Sequence, residues 1–122
     1  MTELAPPIPV LRVFDEEKTR RFYVDYLGFE VEFVHRYADG YPLYLGVVRG
    51  ACKLHLTEHH GDCSPVAKVR IPVADLNAFC DDLGKKKTDF IPPPGGKDTP
   101  WGMKETTIID PFGNKLVFYH DP

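Results

Sequence analysis

The segment Leu11-Arg12-Val13-Phe14-Asp15 returns sixty positions later as Ile71-Pro72-Val73-Ala74-Asp75. Near the same offset, Gly50-Ala51-Cys52-Lys53-Leu54 comes back as Phe112-Gly113-Asn114-Lys115-Leu116. Two matches at one spacing suggest an internal duplication, and the order of predicted elements repeats with them. In the first half, Ile8 to Phe14 reads as a strand. Pro9 cannot donate to a ladder, so one side of that strand is an edge or a bend. Asp15 is a good N-cap, and Glu16 and Glu17 suit the positive end of a helix. Phe22, Tyr23, Tyr26 and Leu27 make one apolar stripe, and Gly28 ends the helix. Phe29 to Arg36 alternates, with Phe29, Val31 and Phe33 on one face. Ala38-Asp39-Gly40 is a turn, and Leu43 to Val48 and Cys52 to Thr57 are strands.

The second half reads the same way. Val66 to Val73 is a strand, and Asp75 opens a helix with the stripe Leu76, Phe79, Cys80, Leu83. A short strand is expected near Thr88 to Ile91. Lys104 to Ile109 and Lys115 to Tyr119 form a hairpin around the turn formers Asp110-Pro111-Phe112-Gly113-Asn114. Both halves are thus β-α-β-β-β. A half this short does not bury its own sheet, so the pair should form one α+β domain over residues 1–122. Module 1 spans about 8–58, the connector 59–65 and module 2 about 66–120.

Composition narrows the function classes. A formal net charge of −3 argues against a nucleic-acid binder held by phosphate contacts. No apolar run approaches the roughly 20 residues of a membrane span, and no basic region followed by an apolar core marks a secretory leader. Cys52, Cys63 and Cys80 are an odd number without a framework of close spacings, which fits reduced thiols in a cytoplasmic protein. Ser64 is the only serine and lacks a G-x-S-x-G setting. Pro94-Gly95-Gly96-Lys97 lacks the spacing of a P-loop.

Several motifs in order along nearly the whole chain carry a resemblance. They are Pro9-Val10-Leu11, Phe22-Tyr23 with Leu27-Gly28-Phe29, Pro100-Trp101-Gly102 with Glu105, and Asp110-Pro111 with Gly113-Asn114. In these the chain resembles the vicinal oxygen chelate superfamily of glyoxalases, bleomycin-resistance proteins and extradiol dioxygenases. Its hairpin resembles the bleomycin-resistance branch in particular. The resemblance implies two tandem βαβββ modules whose curved mixed sheets surround a concave ligand cavity. It also implies a homodimer that exchanges its N-terminal strand at Pro9, with two ligand grooves at the interface.

Enzymes of that superfamily hold a divalent metal with His, Glu or Gln from four strands. Carried onto this chain, the four slots fall at Ile8, His55, Lys68 and Val117, of which only His55 can coordinate. The weak metal candidates are His55, His59 and Glu105; His59, His60 and Cys63 match no closed zinc spacing. No cofactor is therefore expected, with a divalent metal as the alternative.

What remains is binding. Strand parity with His55 and Val117 turns Lys53, Thr57, Lys68, Arg70, Lys115 and Tyr119 toward the cavity, joined by Val10, Arg12 and Glu105. Trp101, Tyr37, Tyr41 and Tyr44 are candidate aromatic walls, although each could equally serve as packing. The expected ligand site is therefore Trp101, Tyr37, His55, Glu105, Arg70, Tyr119 and Tyr44. The basic residues point to an anionic or neutral ligand more than to a cationic drug. The expected function is sequestration of a small aromatic ligand, such as a bleomycin-type antibiotic or a metabolite, without catalysis. The alternative is a metal-dependent glyoxalase- or dioxygenase-like enzyme.

Overall fold

The computed structural model describes residues 2–86, 90, 97–98, 100–102 and 104–120. The first module runs β1 (Val10–Arg12), α1 (Glu16–Arg20), β2 (Glu30–His35), β3 (Tyr44–Arg49) and β4 (Cys52–Thr57). The second runs β5 (Lys68–Pro72), α2 (Leu76–Gly84), β6 (Lys97–Asp98), β7 (Lys104–Ile109) and β8 (Lys115–His120). Each module forms a mixed sheet of four strands, ordered β1-β4-β3-β2 and β5-β8-β7-β6. In each, the first strand lies parallel to the last, and the remaining neighbours are antiparallel.

The duplication extends to individual bonds. Asp15 and Asp75 both sit in extended backbone and accept from the amide three residues on, Lys18 N at 2.8 Å and Ala78 N at 3.0 Å. Each side-chain oxygen satisfies one of the orphan donors at a helix start. Val13 N donates to Thr57 O, and Val73 N donates to Tyr119 O, at the same step of each module. Val10 faces His55 in one parallel ladder, and Arg70 faces Val117 in the other.

Three features differ from the sequence expectation. The first strand is three residues long, because the stretch before it, Thr2 to Ile8, is exposed and outside the sheet. The first helix is regular only to Arg20 and continues as a widened π-type turn over Arg21–Tyr26, with Leu27 N donating to Phe22 O. The widening lets Phe22, Tyr23, Tyr26 and Leu27 all be buried, and Gly28 (φ +79) then turns the chain away. The strand expected at Thr88 to Ile91 lies mostly outside the described residues; the short edge strand of the second sheet is Lys97–Asp98.

One core serves both modules. Leu11, Leu45, Val47, Leu54 and Leu56 from the first sheet cluster with Ile71, Ile108, Leu116 and Phe118 from the second and with residues of both helices. Each such side chain contributes about 1.5–3 kcal/mol when fully buried. Both sheets therefore turn one face to a shared core and the other away from it. Among the described residues, no helix is long and apolar enough to cross a membrane.

The turn Asp110–Asn114 ties the modules together. Asp110 accepts from Phe112 N and Asn114 N through Oδ1, each at 2.8 Å, and from Asn114 Nδ2 through Oδ2. Tyr23 of the first module donates its hydroxyl to Asp110 Oδ2 at 2.6 Å, and Asn114 Nδ2 donates to Arg12 O at 2.9 Å. Burial, reinforced by the Asp110 carboxylate, pushes the Tyr23 hydroxyl far above its usual pKa, so it remains a proton donor. Asp110, Asn114 and Tyr23 are all buried. This part of the hairpin motif is consequently a structural clasp.

Candidate functional site

The face of the first sheet turned from the core carries an aromatic panel. His55 and Gly46 are ladder partners, as are Tyr44 and His35, so these positions share one face. Phe33 joins them through a bulge. Val31 pairs with Val47, but Phe33 pairs with Gly46, and the register shift between them reverses the parity. Simple alternation therefore fails here: Phe33 does not share the face of Phe29 and Val31.

Gly46 makes room for the Phe33 ring. A Cβ at this position would lie 2.2 Å from Phe33 Cε1 and 2.7 Å from Cζ, distances that real contacts do not reach. The ring lies nearly parallel to Tyr44, at 13° and 6.1 Å between centroids. His55 stands edge-on to both, 5.2 Å from Phe33 and 5.3 Å from Tyr44. The Tyr44 hydroxyl and His55 Nδ1 are 2.8 Å apart. Burial, with Asp62 and Cys63 nearby, pushes the Tyr44 hydroxyl up, so it keeps its proton. Phe33 remains 38% exposed, an apolar surface open to solvent. Contacts of this kind contribute about 0.5–1.5 kcal/mol each beyond area burial.

The outer face of the second sheet has a different chemistry. Arg70 Nη2 donates to Glu105 Oε2 at 3.2 Å, and its guanidinium lies 4.6 Å from the Tyr119 ring centroid. Val117, the ladder partner of Arg70, is almost fully buried at 1% although it faces outward. Lys68 and Lys115 are directly opposite one another and exposed. At the seam between the sheets is a cavity of about 530 Å³, whose lining includes Arg49, Lys53, Leu54, Arg70 and Ile71.

The predicted site residues thus fall into separate groups. Tyr44 and His55 come together, as do Arg70, Glu105 and Tyr119. Among the described residues, no hydrogen bond, ion pair or ring contact links the two groups. Tyr37 is 80% exposed and meets the Tyr41 ring at the hairpin tip, 5.2 Å between centroids and tilted by 52°. Trp101 is 62% exposed in its turn. Thr57, placed in the cavity by parity, is fully buried and donates to Asp62 Oδ2. Sequence reasoning missed Phe33 as a panel residue, and Gly46 with it. The one available signal was a glycine inside the otherwise apolar β3, which marks a bulge or a close approach.

The metal slots implied by the family pattern can be set beside the ladder partners. Ile8 lies before β1 and Lys68 lies opposite Lys115, while the ladders set Val10 opposite His55 and Arg70 opposite Val117. Isoleucine, valine, lysine and arginine side chains do not fit a divalent cation in either set, which leaves His55 alone. His55 and Glu105 lie on different sheets, and no group of three His, Cys, Asp or Glu side chains suited to a metal occurs among the described residues.

The sequence model of the family described as glyoxalase superfamily protein matches residues 3–121. No curated protein matches the chain. Several solved structures share its fold. A bleomycin-binding protein from bleomycin-producing Streptomyces verticillus is 29% identical, with 97% of each chain covered and a TM-score of 0.71. The antibiotic-binding protein TnmS3 from a Streptomyces species is 23% identical, covering 99% of this chain and 100% of that one at a TM-score of 0.73. A glyoxalase family protein from Enterococcus faecalis is 19% identical, covering 92% and 94% at a TM-score of 0.67.

Proposed function

The chain belongs to the glyoxalase superfamily, and on that premise we propose that it is a non-catalytic binding protein that sequesters a planar aromatic small molecule. The observation that carries this reading is the panel of Phe33, Tyr44 and His55 on an open sheet face, with Phe33 seated over Gly46. A flat, partly exposed aromatic surface favours stacking of another flat ring. Bleomycin binding by the Streptomyces verticillus protein and antibiotic binding by TnmS3 support the class of ligand.

In this reading the binding unit is a homodimer. The outer face of the first sheet in one copy meets the outer face of the second sheet in the other, and each groove takes one ligand. The exposed stretch Thr2 to Ile8 supports an arm that crosses to the partner, with Pro9 as its hinge. No metal takes part, because the residues facing one another on the sheets do not suit one. The protein acts by mass action, lowering free ligand without making or breaking a bond.

Isothermal titration with planar aromatic compounds of either charge, bleomycin among them, tests the reading when paired with elemental analysis. We expect saturable binding near one ligand per chain, unaffected by chelator and weakened by Phe33→Ala. Absence of binding together with a tightly held divalent metal would overturn it in favour of a metal-dependent enzyme.

A further inference from the structure

The chain is acidic overall, with a formal net charge of −3, but its cations are unevenly placed. Among the described residues, the outer face of the second sheet presents Lys68, Arg70 and Lys115 against the single carboxylate of Glu105, which is already paired with Arg70. Lys68 and Lys115 stand in register across the β5–β8 ladder. Both are exposed, and among the described residues neither makes an ion pair. Like charges directly opposite each other destabilise a sheet. For exposed ammonium groups that cost is small, and no carboxylate among the described residues offsets it.

The first sheet lacks the bias. On its outer face Lys53 is paired with Glu32 at 3.3 Å. Arg12 is engaged by Glu58 O at 2.7 Å and lies over the Phe14 ring. The seam cavity borders both sheets. Its lining includes Arg49, Lys53 and Arg70, together with apolar residues such as Pro7, Leu54 and Ile71, and each cation is already engaged, Arg49 by Leu27 O, Lys53 by Glu32 and Arg70 by Glu105.

We propose that the outer face of the second sheet recognises an anion, so that the ligand of this chain is a planar aromatic acid. Its ring stacks on the Phe33–Tyr44 panel, and its carboxylate, sulfonate or phosphate lies against Lys68 and Lys115. An anionic group between two opposed ammonium groups replaces their repulsion with attraction. Arg70 is held by Glu105 and Tyr119 and borders the anion. The inference rests on the sequestration reading, since the panel and the lysines enclose one groove only when two copies face each other.

Pyrene-1-sulfonate, 1-pyrenemethanol and 1-pyrenemethylammonium share one ring system and differ in charge, so fluorescence titration with the three separates stacking from charge. We expect the sulfonate to bind about tenfold or more tighter than the ammonium, with a preference that shrinks as salt rises. Charge reversal by Lys68→Glu with Lys115→Glu should weaken the sulfonate by about tenfold and affect the neutral alcohol far less. Phe33→Ala should weaken all three. A preference for the ammonium, or a sulfonate affinity untouched by charge reversal, would overturn the anion assignment and leave sequestration standing. Equal weakening of sulfonate and alcohol, with loss of the dimer in sedimentation, would assign the lysines to the contact between copies. If none of the three ligands binds, sequestration itself fails and this inference falls with it.

Discussion

Replacing Gly46 with alanine should separate ligand affinity from stability. The new Cβ would meet three atoms of the Phe33 ring at 2.2, 2.6 and 2.7 Å. To reach ordinary contact the ring must retreat by more than about 1 Å. Phe33 is 38% exposed, so it has solvent to move into. The move forfeits its contacts with Tyr44 and His55, each about 0.5–1.5 kcal/mol. Against this, alanine in place of a strand glycine recovers about 0.5–1 kcal/mol. The net loss of stability is therefore at most about 2.5 kcal/mol, or roughly 10 °C in Tm for a domain of this size. Affinity for a neutral planar ligand should fall about tenfold, because the platform is gone. Calorimetric melting and fluorescence titration with 1-pyrenemethanol on the same preparation measure both. The double variant with Phe33→Ala should bind no worse than Phe33→Ala alone, since both changes remove the same ring from the panel. Unchanged affinity in Gly46→Ala would refute the panel as the stacking surface. A loss of fold would instead show that Phe33 is a structural ring.

Two further predictions concern the clasp and the first helix. Tyr23→Phe removes the hydroxyl from the buried Asp110 carboxylate and should cost about 1.5–3 kcal/mol, measured by chemical denaturation; a loss under about 0.5 kcal/mol would show that the clasp does not hold the modules together. Hydrogen bonds from Arg36, and then from Arg20, hold the Glu16 carboxyl below its ordinary value of 4.5. Because the folded-state pKa is depressed, its stabilisation is present above that value and is lost as pH falls through the folded pKa. Thermal melts of wild type and Glu16→Gln should therefore differ modestly at pH near 7 and converge in acid, the effect being small for a half-exposed carboxylate.

Local chemistry made much of the architecture legible. Asp15 and Asp75 cap helices because a short acidic side chain reaches the amide three residues on, whatever the rest of the chain does. The apolar stripes of both helices, the alternation of β4 and β8, and the turn residues of Asp110–Asn114 are likewise signals between near neighbours in sequence. From them the two βαβββ modules and the outward parity of His55 and Arg70 follow directly. The motif Asp110-Pro111-Phe112-Gly113-Asn114 was equally legible as a turn. Its role as a clasp was not, since Tyr23 lies 87 residues away.

The sequence by itself determined the repeated elements, their caps and the faces of the uninterrupted strands, because those depend on a residue and its neighbours. Only the tertiary structure decided that Phe33 crosses to the outer face, because a bulge exists only relative to the strand it pairs with. It alone set Val10 opposite His55 and Arg70 opposite Val117. Those placements are set by ladder register and by packing between residues far apart in the chain, and local periodicity carries no information about either.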